Sequence, residues 1–269
     1  MKLMNEVFGG RRKVVIGMVH FPPLPGTPLY DDTTGMDRIR RVIREDAKAL
    51  QAGGIDAIMF CNENDRPYNF DADFMTVSAM SEAIGEIRNE LEIPYGVDVL
   101  WDPKAALAVA KATGAQFVRE IVTNAYVSDM GIWNTNVGEV YRYRKLIDAD
   151  HIPVLFNIFA EFASRLDARP PEVIAKSVAF SSLADAILVS GPMTGQAPTG
   201  EQVSKVKESV DIPVFVNTGL KAATANELLT AADGAVVGTS LKKDGITWNQ
   251  VEESRVRELM SVVRRVRGE

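Results

Sequence analysis

Val214-Phe215-Val216-Asn217-Thr218-Gly219 and, one helix length further on, Gly234-Ala235-Val236-Val237-Gly238-Thr239-Ser240 decide the fold. Each stretch reads as a short strand that closes on small and hydroxyl residues. An apolar run without alternation is what a strand buried on both faces requires. In a (β/α)8 barrel, the loops after the seventh and eighth strands and the helix start that follows form the usual phosphate site. Small residues let backbone N–H groups come close to the anion. Asn217, Thr218, Gly219, Gly238, Thr239 and Ser240 are therefore the expected phosphate-binding residues. The plainer alternative is two parallel strands with tight turns and no ligand.

Working outward from there, strand-then-helix units recur eight times. Strands are expected at Val14–Val19, Ala57–Phe60, Tyr95–Leu100, Phe117–Val122, Pro153–Ile158, Ala186–Val189, Pro213–Asn217 and Ala235–Gly238. Helical spacing fills Asp37–Gln51, Ala72–Leu91, Val137–Ile147, Glu201–Val210, Ala222–Ala232 and Trp248–Arg267. Pro103 and Pro170-Pro171 open two further helices, at positions where proline is tolerated. Gly-Ile-Asp-Ala-Ile, Gly-Ala-Gln-Phe-Val, Ala-Asp-Ala-Ile-Leu and Ala-Asp-Gly-Ala-Val each stand where a helix hands over to a strand. Regular alternation without a composition break predicts an α/β fold: one parallel eight-stranded (β/α)8 TIM barrel over residues 1–269. An open doubly wound sheet is disfavoured, because no Gly-x-Gly-x-x-Gly turn follows the first strand.

Composition narrows the partners. A net charge of −6 over 269 residues gives no basic footprint for nucleic acid. One cysteine, Cys61, excludes an internal disulfide framework and suits a reducing, cytoplasmic setting. No apolar run reaches the roughly 18 residues of a membrane span, and Met1 to Lys13 lacks an apolar signal core. Arg257, Arg264, Arg265 and Arg267 lie in a helical pattern, and Glu252, Glu253 and Glu258 compensate them, as on a solvated helix face. A homo-oligomer is left open.

Right-handed crossovers bring every strand's C-terminal end to one mouth, where active sites of this fold lie. Polar residues gather at those ends: His20, Asn62-Glu63, Asp98, Asp102, Arg119-Glu120, Asn157 and Ser190. Alternation turns Asp98, Asn157 and Asn217 inward and leaves either Arg119 or Glu120 facing in. His20, Asp98 and Glu120 are the acid–base candidates, with Arg119 and Asn157 to orient substrate or hold an oxyanion. Asn62, Glu63, Asp102, Asp129 and Ser190 are expected to touch substrate. For any one of these, a self-satisfied barrel plug is the competing reading, such as Asp98 simply pairing with Arg119, or His20 anchoring the stiff Phe21–Gly26 loop.

Cofactor chemistry is weakly signalled, and none is predicted. Glu63, Asp98, Asp102, Glu120 and His20 carry the donors a divalent metal would use, without a ligand-spacing motif. No strand carries a lysine for Schiff-base work; Lys221, Lys242 and Lys243 follow strands seven and eight, where their charge would meet phosphate. The long loop 123–136 after strand four reads as a lid or binding loop, or as a subunit contact through Tyr126 and Trp133.

These segments also carry a resemblance. Gly17-Met18-Val19-His20-Phe21-Pro22-Pro23-Leu24-Pro25-Gly26, Gly96-Val97-Asp98-Val99-Leu100-Trp101-Asp102-Pro103 and Ser128-Asp129-Met130-Gly131-Ile132-Trp133 resemble the BtpA/SgcQ family, most closely its SgcQ branch. So do Gly54–Glu63, Ala112–Ile121, Ala232-Asp233-Gly234 and Lys242-Lys243-Asp244-Gly245, so that the likeness spans nearly the whole chain. The resemblance implies a ribulose-phosphate-binding type of barrel. The founding branch is linked to photosystem I biogenesis, and the SgcQ branch to sugar-uptake gene sets without a settled reaction. This chain departs from the photosynthetic branch at Asp98, where asparagine is typical, and at Asn157–Phe162, where a lysine–histidine pair is typical. The expectation is a phosphate-binding enzyme acting on a small phosphorylated sugar-like metabolite, by isomerisation, epimerisation or group transfer; the alternative is a non-catalytic assembly factor.

Overall fold

The computed structural model describes residues 3–269; Met1 and Lys2, which the sequence reading includes in its domain and N-terminal segment, lie outside the described residues. In chain order the elements are β1 (Val14–His20), α1 (Gly35–Gly53), β2 (Ala57–Cys61), α2 (Phe74–Ile87), β3 (Tyr95–Asp98), α3 (Pro103–Thr113) and β4 (Phe117–Glu120). Then come β5 (Ala125–Ser128), β6 (Gly131–Asn134), α4 (Val137–Leu146), β7 (Val154–Asn157), β8 (Ala163–Arg165), α5 (Pro171–Ser181), β9 (Ala186–Ser190) and α6 (Gly200–Ser209). The chain closes with β10 (Val214–Asn217), α7 (Ala225–Ala231), β11 (Gly234–Val237) and α8 (Glu253–Arg267).

Eight strands close a parallel barrel in the order β1-β11-β10-β9-β7-β4-β3-β2. Outward-facing Val97, Phe156, Val214 and Val216 pack with the helices, while Phe117, Leu155, Leu188 and Phe215 fill the lumen. The bottom is stoppered from the N-terminal segment: Phe8 meets Phe117 at 5.5 Å and Phe215 at 6.4 Å between ring centroids. That segment is therefore a plug for the lumen.

The repeated handover motifs have a common physical cause. Asp56 accepts the Val15 N–H at 2.8 Å, Gln116 that of Tyr95 at 3.0 Å, Asp185 that of Val154 at 2.8 Å and Asp233 that of Val214 at 2.8 Å. In each case the residue before one barrel strand satisfies a donor at the start of the strand before it. A buried N–H without a partner costs about 1–3 kcal/mol, so four such acceptors brace the rim opposite the mouth.

Two expectations need correction. Residues 123–136 are not an open loop: β5 and β6 form an antiparallel hairpin, and β8 joins it as a three-stranded sheet. Tyr126 and Trp133 are buried within the chain and stack at 5.0 Å, so they cannot serve as a subunit contact. The last helix starts at Glu253 rather than Trp248, because residues 242–251 loop back on themselves through the Lys242–Val251 bridge.

Candidate active site at the barrel mouth

The C-terminal ends of the strands frame an open cleft. Its floor is a hydrogen-bonded polar layer inside the barrel. Arg119 ion-pairs with the fully buried Asp98, and its Nη1 donates to Asn217 Oδ1 at 2.9 Å. Asn217 Nδ2 donates to Ser190 Oγ at 2.8 Å, and Ser190 Oγ donates to Asn157 Oδ1 at 3.0 Å. Alternation along β4 resolves the open choice: Phe117 fills the lumen, so Arg119 faces inward with it. Burial pushes the Arg119 pKa down, but the carboxylates led by Asp98 outweigh it, and the net direction is up. The guanidinium is the fixed cation of the site.

Glu120 takes a different place. Its carboxyl accepts the Val99 N–H at 3.1 Å and the Ile121 N–H at 3.2 Å. Burial first, and the neighbouring Asp98 next, raise its pKa well above the ordinary carboxyl value. Asp98 Oδ1 has no hydrogen-bond partner among the described residues.

His20 ends β1 and is buried at the cleft edge. Burial, followed by the cation of Lys242, holds its pKa well below the usual histidine range. Its Nδ1 lies 3.4 Å from the Thr247 carbonyl oxygen. A carbonyl only accepts, so this contact favours the neutral tautomer with the proton on Nδ1 and a bare Nε2.

Glu63 proves more interesting than its expected substrate contact suggests. It lines the cleft with Glu161, and its pKa is pushed up to about 7, by burial first and the Glu161 charge next, against the pull of Arg119. A carboxyl poised near neutrality in a cleft is suited to proton transfer. Glu161 itself accepts from Thr194 Oγ1 at 2.6 Å and weakly from Asn217 Nδ2 at 3.4 Å. The sequence places Glu161 at the mouth, just beyond the end of β7, but assigns it no individual role, since strand alternation no longer applies there. The aromatic wall was missed for the same reason: Trp101 and Tyr68, from loops, line the cleft with their ring centroids 5.9 Å apart.

Three expected substrate contacts lie elsewhere. Asn62 accepts the Leu100 N–H at 2.8 Å and donates to Asp65 at 3.1 Å, which ties two loops together under the cleft. Asp102 is the N-cap of α3, accepting from Lys104 N at 2.9 Å and Ala105 N at 3.1 Å. Asp129 is exposed in the turn between β5 and β6. Ser190 and Asp98 sit within the floor. Lys242 does not greet an anion: it is buried and paired with Asp46 at 2.7 Å. Among the described residues, no three His, Cys, Asp or Glu side chains converge on a metal position.

The two C-terminal loops share one rim, because β10 and β11 are parallel neighbours. Thr218 lines the cleft, Gly219 and Ser240 line an adjoining recess, and Gly238 and Thr239 line both. Lys221 and Arg255 add cations to that recess. Asn217 belongs to the barrel floor instead, since its side chain is spent on Arg119 and Ser190. Gly219, at φ +74°, is needed for a reason other than anion approach: a Cβ there would lie 2.1 Å from Ala197 N. Gly219→Ala should therefore destabilise by roughly 2–4 kcal/mol, from overpacking and left-handed strain together. Chemical denaturation checks this; a loss under about 0.5 kcal/mol, the size of an ordinary surface change, would mean that the 196–197 backbone moves aside freely.

Fold and cleft together define a (β/α)8 barrel whose polar pocket opens at the C-terminal face of the strands. The chain belongs to the BtpA family, whose sequence model matches residues 11–265. It is 43% identical to the putative sgc region protein SgcQ of Escherichia coli (strain K12), over 99% of this chain and 100% of that one. It is 30% identical to the photosystem I biogenesis protein BtpA of Synechocystis sp., over 90% and 85% of the two chains. Among solved structures, (S)-3-O-geranylgeranylglyceryl phosphate synthase from Thermoplasma acidophilum, in complex with sn-glycerol-1-phosphate, shares the fold at a TM-score of 0.60 and 17% identity, covering 98% of this chain and 97% of that one. Among the described residues, no helix is long and apolar enough to cross a membrane.

Proposed function

We propose that this chain is an enzyme that binds a small phosphorylated, sugar-like metabolite and moves a proton on it, as in isomerisation or epimerisation. The observation that carries this reading is the junction at Gly238–Thr239 of two different chambers. One holds Glu63, Glu161, His20 and Arg119; the other offers hydroxyls, backbone and the cations of Lys221 and Arg255. A ligand spanning both places its phosphate in the recess and its carbon skeleton over the carboxyls. Glu63, with a pKa near 7, and the bare Nε2 of His20 serve as the acid–base pair. Arg119 stabilises negative charge as it develops on an adjacent oxygen. The complex of a barrel neighbour with glycerol phosphate is consistent with this arrangement. Group transfer on the same ligand class uses the same groups. The buried free thiol of Cys61 suits a reducing cytoplasm.

The assembly reading draws on the name of the Synechocystis relative and on exposed apolar side chains, Phe180 at 89%, Leu146 at 79% and Leu183 at 65%. A docking surface, however, has no use for a buried cation and carboxyls that cost desolvation at the opposite chamber. A thermal-shift screen of sugar phosphates separates the two. A ligand at about 100 times its Kd adds roughly 2.7 kcal/mol. At roughly 2–4 °C per kcal/mol for large single domains, that is a rise of roughly 5–11 °C. The assembly reading predicts no rise with any of them.

A further inference from the structure

Residues 242–251 are held down at many points. Lys242 Nζ and Asp46 form an ion pair at 2.7 Å in which both side chains are almost wholly buried. The other oxygen of Asp46 accepts the Val251 N–H at 2.8 Å, and Lys243 N donates to Gln250 O at 2.9 Å. Arg66 lies over the Trp248 ring at 3.6 Å. A surface loop with no role in positioning has no need of a buried ion pair, which seldom stabilises more than an apolar pair of the same size. At the tip of this clamped loop, Thr247 makes two contacts in opposite directions. Its carbonyl oxygen meets His20 Nδ1 at 3.4 Å, and its Oγ1 meets Thr239 Oγ1 at 2.9 Å.

We propose that Thr247 is a positioning residue that fixes the His20 tautomer and ties it to the phosphate-side hydroxyl of Thr239. The proposal rests on the reading of His20 as a proton-transfer group. With the proton held on Nδ1, the bare Nε2 is aimed at the seam between cleft and recess: a Cβ at Gly238 would lie 3.3 Å from it. The same residue thus sets the base and the hydroxyl that would meet the ligand on either side of Gly238. Charged groups face the ring from all sides: Arg119 and Glu63 across the cleft, Lys242 with Asp46 behind, and Arg38, Arg41 and Glu45 on the outer side.

The test needs no ligand. The chain has two histidines, so His151→Gln leaves one imidazole, and His151 is exposed and remote from the cleft. In 15N-labelled protein, the expected spectrum shows one neutral tautomer with the proton on Nδ1. Because neutral tautomers exchange fast, Thr247→Val should move the averaged Nδ1 and Nε2 resonances toward the form protonated on Nε2, and Thr247→Ser, which keeps the hydroxyl, should restore the parent values. Asp46→Asn should reproduce the Val spectrum by loosening the clamp; if that variant does not fold, the Val and Ser pair decides alone. A proton on Nε2 in the parent protein, or a Thr247→Val spectrum identical to the parent's, overturns the proposal. Because these spectra are recorded without phosphate, failure here is separate from a failure of any sugar phosphate to bind.

Discussion

Replacing Arg119 by methionine is expected to lower the unfolding free energy by about 3–5 kcal/mol, the usual cost of removing one partner from a buried ion pair. The reason lies in what is left behind. Asp98 is fully buried and has no other ion-pair partner among the described residues, and Asn217 Oδ1 loses its donor. Methionine fills the volume but supplies neither charge nor N–H. The loss should appear as a lower urea midpoint with an unchanged slope. Adding Asp98→Asn to Arg119→Met should recover more than half of it, since the pair and not either residue alone is balanced; such coupling is what neighbours in one network show. A cost below about 1 kcal/mol, typical of an exposed pair, would mean that water reaches the barrel floor.

Glu63→Gln is expected to separate activity from stability. On a turned-over substrate, loss of a positioned acid–base group should lower kcat by about 10²–10⁴-fold. Stability should move the other way at high pH. With an ordinary value of 4.5 and a folded value of about 7, the carboxyl holds its proton more tightly in the folded chain. Its contribution is fully present below about pH 4.5 and is lost as pH rises through about 7. Glutamine cannot ionise and escapes that loss. The variant should thus be more stable than wild type at pH 8 by on the order of 1–3 kcal/mol, with no difference near pH 4.5. The partial opening of Glu63 to the cleft keeps the gain below the full shift. A variant that is less stable than wild type at pH 8 would show that Glu63 is a structural brace.

How far the site was legible depends on where each residue sits. Asp98, Asn157 and Asn217 lie on strands, where a period of two assigns faces, and all three turn inward beside outward Val97, Phe156 and Val216. Thr218, Gly219, Gly238, Thr239 and Ser240 reach one rim because parallel neighbours end together. Loops carry no such period. Asn62 and Asp102 have residue types that suit a substrate, yet backbone N–H groups of Leu100, Lys104 and Ala105 claim them first. Tyr68, Trp101 and Thr247 reach the mouth through chain paths that no local pattern specifies.

Local chemistry alone thus determined the eight-fold β-α alternation, the hand and closure that follow from it, and the inward face of the strands that carry Asp98, Asn157 and Asn217, with the face of β4 left open, because buried apolar runs and helical stripes are short-range patterns. The handover residues Asp56, Gln116, Asp185 and Asp233 were visible as a repeat, but their bonds to the preceding strands were not. Only the tertiary structure decided which carboxyl is poised. Glu63, Asp98, Glu120 and Glu161 are alike in sequence and differ in burial, in the cation or carboxyl nearby, and in the N–H groups that reach them. Those are long-range properties of a low-dielectric pocket, and they arise when distant segments close around Arg119.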